Sequence, residues 1–149
     1  MAVADQAQKE RRANTERTIR QLQNERTEML VLFCRVAGLE PFTDDKPVRL
    51  VLQEFCQILI DYIATAHFGL YERVLSGNER RRAVADLAEE LYPKIAASTE
   101  VALNFNDKYD CADHCEIHDT LWQDLSDLGQ ALAARIELED KLIAALASR

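Results

Sequence analysis

Turn-forming residues are scarce in this 149-residue chain: four glycines and three prolines. So few breakers exclude a fold of many short strands joined by tight turns and leave a few long elements. The chain also lacks a membrane span, since no stretch approaches the roughly 18–20 continuous apolar residues that crossing a bilayer requires. The start, MAVADQAQKERRANTER, has no apolar core segment of the kind a secretory leader needs. A cytoplasmic location is therefore expected, with Cys34, Cys56, Cys111 and Cys115 reduced and mostly structural. Motifs of catalysis are missing as well. There is no Gly-x-Ser-x-Gly elbow, no phosphate loop and no Gly-x-Gly-x-x-Gly turn. No glutamate is followed three residues later by histidine, which removes the di-iron carboxylate site that helical bundles can carry. No catalytic residue and no cofactor is expected.

What is present is apolar residue content of 48%, charged content of 30% and a net charge of −8. The length suits one domain spanning 1–149 with a real core. The acidic balance argues against direct nucleic-acid binding. It is also local: Asp86 to Asp127 holds eleven acids against Lys94 and Lys108, whereas the first thirty residues hold six bases and five acids. A concentrated acidic segment suits a basic partner, although charge alone favours the plainer account, that the acids serve solubility.

Four segments have helical periodicity. The first runs from about Lys9 to Ala37, with Ile19, Leu22, Met29, Leu30, Phe33 and Val36 on one stripe. Residues before about Glu16 have no apolar face and are expected to fray. Gly38 is placed to end this helix. Asp44 or Asp45 can cap the second, in which Pro47 fits the first turn. The second runs to about Leu75, is apolar on more than one face, and ends at Ser76-Gly77-Asn78. The third covers about Glu79 to Asn106 and should be kinked or divided near Pro93. The fourth covers about Asp119 to Ala147. Together they predict an all-α, antiparallel up-down four-helix bundle.

Three groups of residues could carry function. Cys111, His114, Cys115 and His118 are metal-ligand types at helical spacing. Residues seven apart rise about 10 Å along a helix, too far for all four to reach one ion at bonds of about 2.0–2.3 Å. A polar connector is the plainer account, and a metal- or redox-sensing bundle is the alternative function. Next, the fourth helix carries Arg135 and Glu139 on its apolar stripe of Leu121, Leu125, Leu128, Leu132, Leu142 and Leu146, four apart and able to pair. His67 and Tyr71 lie on the core side of the second helix. These four form either a polar pocket or a hydrogen-bonded network that fixes helix register, and the need to satisfy buried polar groups favours the network. Finally, Glu54, Gln57, Ile58, Asp61, Ala64, Thr65, Phe68 and Glu72 lie within about 60° of one direction on the second helix, away from its Leu59-Ile63-Ala66-Leu70 stripe. Apolar groups rimmed by acids are a common interface layout, unless a neighbouring helix covers Ile58 and Phe68.

Two runs resemble a known family. FCQILIDYIATAHFGLYERVL, Phe55 to Leu75, is similar to the Rsd/AlgQ signature FCQ-x-L-V/I-DY-x-x-x-x-HF-x-x-YE. DLSDLGQALAARIELEDKLI, Asp124 to Ile143, resembles the family's second block, and VAGLEPF its loop after the first helix. The resemblance spans about Ile19 to Leu146. It implies a non-enzymatic four-helix bundle, an anti-sigma factor that binds and sequesters the C-terminal, −35-reading domain of the primary sigma factor. By the same resemblance Asp61 falls on a sigma-contact aspartate, with His67, Phe68, Tyr71 and Glu72 on the rest of the signature. Arg135, Glu137, Glu139 and Asp140 fall in the second block. The chain departs from the family at Arg20-Gln21-Leu22-Gln23, where an Asp-Arg-Trp-Leu run is frequent, but keeps Arg26. The expected contact set is therefore Asp61, Ile58, Thr65, Phe68, Glu72, Leu22 and Arg26.

Overall fold

The computed structural model describes residues 2–39, 46–75, 80–109 and 119–147. Asp44 and Asp45, the Ser76-Gly77-Asn78 stop and the Cys111, His114, Cys115 and His118 group lie outside them. The chain is an all-α helical bundle of α1 (Ala2–Val36), α2 (Val48–Ala66), a π-helical turn π1 (His67–Tyr71), α3 (Arg82–Tyr109) and α4 (Leu121–Ala147). None of the described helices is long and apolar enough to cross a membrane.

α1 packs chiefly on α2, α3 on α4, and α2 joins the two pairs. Its central position follows from having apolar residues on more than one face: Val51, Leu52, Phe55, Cys56, Leu59, Tyr62, Ile63 and Ala66 are all buried. Phe55 meets Phe33 of α1 and Phe105 of α3 edge-on, each at 5.9 Å between ring centres. This geometry suits the ring quadrupoles as well as filling the core. All eight stripe positions of α4, including Arg135 and Glu139, are buried.

α1 is helical from Ala2, although its side chains from Gln8 to Asn14 are exposed. It ends as its sequence dictates. Gly38 takes φ 71°, a conformation that costs glycine little. The Gly38 N–H then donates to the Arg35 carbonyl and the Leu39 N–H to the Cys34 carbonyl, a Schellman closure.

Pro93 does not divide α3, which is continuous from Arg82 to Tyr109. The bond that proline cannot make would run to the carbonyl of Glu89, an exposed position where water can serve it. Leu91 and Ile95 are buried on either side and hold both halves against the core.

The α-helical repeat of α2 stops at Ala66. The Glu72 N–H donates to the His67 carbonyl, five residues back, which widens the turn. Gly69 faces α1 here so closely that a Cβ would stand 2.8 Å from the Thr18 methyl. A glycine is therefore required where α1 crosses π1.

Candidate functional site

The bundle centre is organised around one carboxylate. Glu139 of α4 has no exposed surface. It accepts hydrogen bonds from Arg26 of α1 at 2.8 Å, from the Tyr62 hydroxyl of α2, from the Tyr71 hydroxyl of π1 at 2.5 Å, and from Arg135 Nε at 3.3 Å. Arg135, 1% exposed, turns its Nη1 to Thr99 at 2.7 Å and Ser98 at 3.2 Å, both on α3. Its guanidinium also lies 5.5 Å from the Tyr62 ring centre and 5.8 Å from that of Tyr71, within cation–π range. Arg26 extends the network to the surface through Asp140 at 2.7 Å.

Every helix thus contributes a polar group to one hydrogen-bonded cluster, in which the buried Arg26 Nε alone of that residue's nitrogens finds no acceptor among the described residues. Burial, with the Glu139 charge beside it, raises the Tyr62 and Tyr71 hydroxyls well above their ordinary value near 10. Both therefore stay protonated and donate throughout the physiological range. Burial works against the Arg26 charge, but hydrogen bonds to Glu139 and Asp140 outweigh it and hold the guanidinium protonated. Four donors converge on Glu139, so the cluster acts as a fastening between helices.

Two of the expected positions change place. His67 does not join the cluster: it is half-buried, its ring packs edge-on to Phe68 at 4.8 Å, and its side chain makes no hydrogen bond among the described residues. An α-helical projection from Ile63 carried it inward, but π1 shifts the phase from this residue onward. Leu22, expected at the contact surface, is wholly buried in the core and unavailable to another protein. Arg26, also expected there, is 12% exposed and committed to Glu139 and Asp140. Tyr62, which pattern did not single out, belongs to the cluster. Its signal was adjacency to Asp61 on a helix buried on several faces.

The outer face of α2 and π1 is different in kind. Asp61 and Glu72 are exposed, and their carboxylates form no ion pair or hydrogen bond among the described residues. Phe68 is 69% exposed, so no neighbouring helix covers it. Ile58 and Thr65 are half-buried, and Ile58 packs against the core. Glu54 is paired with Lys46 at 3.1 Å. The outer side thus carries two carboxylates, Asp61 and Glu72, without side-chain partners among the described residues, and an exposed aromatic, Phe68.

Among the described residues no group of acids, histidines and cysteines is placed to hold a metal ion. Cys34 is half-buried and Cys56 is buried.

The chain matches the family described as "Regulator of RNA polymerase sigma(70) subunit, Rsd/AlgQ" over residues 1–147. It is 36% identical over 126 residues to the protein named "Regulator of sigma D" of Yersinia enterocolitica serotype O:8, covering 79% of this chain and 73% of that one. The "Regulator of sigma D" of Shigella dysenteriae serotype 1 is 37% identical over 125 residues, 79% and 76% of the two chains. That of Yersinia pestis is 35% identical over 125 residues, 79% and 72% of the two chains.

Proposed function

The chain belongs to the Rsd/AlgQ family of regulators of the RNA polymerase sigma(70) subunit, and from that premise we propose that it is an anti-sigma factor which binds the C-terminal domain of the primary sigma factor and sequesters it. The family is regulatory and not enzymatic. The observation that carries the reading is the outer side of α2 and π1, where Asp61, Phe68 and Glu72 are exposed and neither carboxylate has a partner among the described residues.

A domain that reads promoter DNA is basic, and a face of this kind complements it. Phe68 supplies an apolar anchor, with Ile58 and Thr65 forming its floor. Asp61 pairs with a guanidinium of the sigma domain, a charge-assisted bond that gains strength as the interface excludes water. The chain's net charge of −8 adds long-range attraction and faster encounter. Occupying the −35-reading surface of sigma removes it from promoters and shifts transcription toward other sigma factors. Such a role places the protein in the cytoplasm, acting as a single domain.

A pull-down from bacterial extract tests the proposal directly. Recovery of the primary sigma factor, diminished as salt rises, is the expected result. Absence of sigma from material that retains its helical spectrum contradicts it.

A further inference from the structure

The helix that carries the outer side changes register in the middle of that side. Successive residues of an α-helix are turned by about 100° around its axis. Continued in that way from Leu59, the helix would bring Tyr71 to about 120° from the Leu59 direction, away from the core, and Arg73 to within about 40° of it. Neither residue is there. Tyr71 is 2% exposed, donates its hydroxyl to Glu139, and meets the Tyr92 ring of α3 edge-on at 6.3 Å. Arg73 is half-buried and donates to the Thr15 hydroxyl of α1.

π1 accounts for both. The bond from the Glu72 N–H to the His67 carbonyl puts one extra residue into the turn, so the residues beyond it are turned back by about 100°. The widened turn is held from within. Tyr71 fastens it to α4 through Glu139, and Gly69 lets α1 approach until a Cβ would stand 2.8 Å from the Thr18 methyl.

The same turn decides how the outer side is laid out. In an unbroken helix Glu72 would stand within about 20° of Asp61, with Phe68 alongside, and the two carboxylates would form one row. Turned back, Glu72 stands about 80° from Asp61, and Phe68, inside the widened turn, comes between them. We propose that π1 is the positioning device of the contact surface: Gly69 and Tyr71, which face the bundle and not the partner, set Phe68 between two divergent carboxylates. The surface thereby fits an apolar pocket flanked by one cationic group on each side. This rests on the reading of α2 and π1 as the sigma-binding side, and adds to it the layout that the partner must match.

The register is measurable on the free chain. Scalar coupling across hydrogen bonds should join the Glu72 amide nitrogen to the His67 carbonyl carbon. Coupling to the Phe68 carbonyl, as in an α-helix, would overturn the proposal. Gly69→Ala should weaken the His67 coupling, and Thr18→Ser in the same chain should restore it; an unchanged coupling would show that the glycine does not hold the turn. Calorimetric titration with the isolated C-terminal domain of a primary sigma factor, well below the melting temperature of every variant, tests the layout. Gly69→Ala should weaken binding about fivefold or more, and Thr18→Ser in the same chain should recover it. In a chain already carrying Phe68→Ala, Gly69→Ala should cost at most about twofold, because it acts through the side chain removed. An equal loss in both backgrounds would reduce the effect to general loosening of the bundle and overturn the role of π1. No complex with the unaltered chain would overturn the partner reading instead, and the coupling would still decide the register.

Discussion

Glu139 is a carboxylate with no exposed surface, and four side chains from three other segments and its own helix stabilise its charge. Burial alone would make that charge costly, so each donor bears on stability. Arg135→Ala removes one guanidinium from Glu139 and also strips Ser98 and Thr99 of their donor. A loss of about 3–5 kcal/mol in chemical denaturation is expected, with a clear fall in melting temperature. A change under about 1 kcal/mol would mean that the pair behaves as a surface contact. The tyrosines make a second test through pH. Their folded-state values are raised above the ordinary value near 10, so they add stability that is complete below that pH. The contribution is lost as pH rises beyond about 10 toward the folded-state values. Denaturation at increasing alkaline pH should therefore show a decline that is shallower in the Tyr62→Phe, Tyr71→Phe double variant. Equal slopes would show that the two hydroxyls are not the groups responsible.

Helix-scale organisation depends on where the α-helical repeat is kept and where it is broken. Gly69 lies in the break, and Gly69→Ala places a methyl against Thr18, a short β-branched side chain with little freedom to yield. Alanine's better helix propensity returns at most about 1 kcal/mol, against about 1–3 kcal/mol for overpacking. A lower melting temperature is expected, and restoring it by Thr18→Ser in the same chain would tie the effect to that contact. Farther along, Asp124 of α4 joins Lys108 and Tyr109 of α3 at 2.7 and 2.5 Å. The Lys108 hydrogen bond, then that of Tyr109, holds its carboxyl below the usual range against the opposing effect of burial. That contribution is present above the ordinary carboxylate pKa and fades as pH falls below it. The long α-helical stretches were readable in the sequence because one rule governs them: the α4 stripe places Arg135 and Glu139 inward on periodicity alone. π1 was not readable, since HFGLY differs from an α-helical pentapeptide only in its hydrogen bonds. His67 was placed inward for that reason, and Tyr62 was not singled out because α2 is buried on several faces. Leu22 illustrates a different limit, for its position on the α1 stripe already spoke for the core.

Across the whole molecule, two regions differ in character: the outer side of α2 and π1, with Asp61, Glu72 and an exposed aromatic, and the buried cluster around Glu139. The buried cluster ties all four helices, so that the outer side is presented on a fixed frame. Family membership supplies the partner class, and the outer face of α2 supplies a residue on which the proposed mechanism depends. Asp61 is exposed and its carboxylate makes no bond among the described residues, so its removal should not disturb the fold. Calorimetric titration of the isolated C-terminal domain of a primary sigma factor, with the unaltered protein and with Asp61→Ala, is the most direct measurement. The unaltered protein should form a one-to-one complex whose affinity falls with salt, and Asp61→Ala should bind about 1–3 kcal/mol more weakly with the same helical spectrum. No complex with the unaltered protein would contradict the proposed partner, and a complex unchanged by Asp61→Ala would contradict the proposed face.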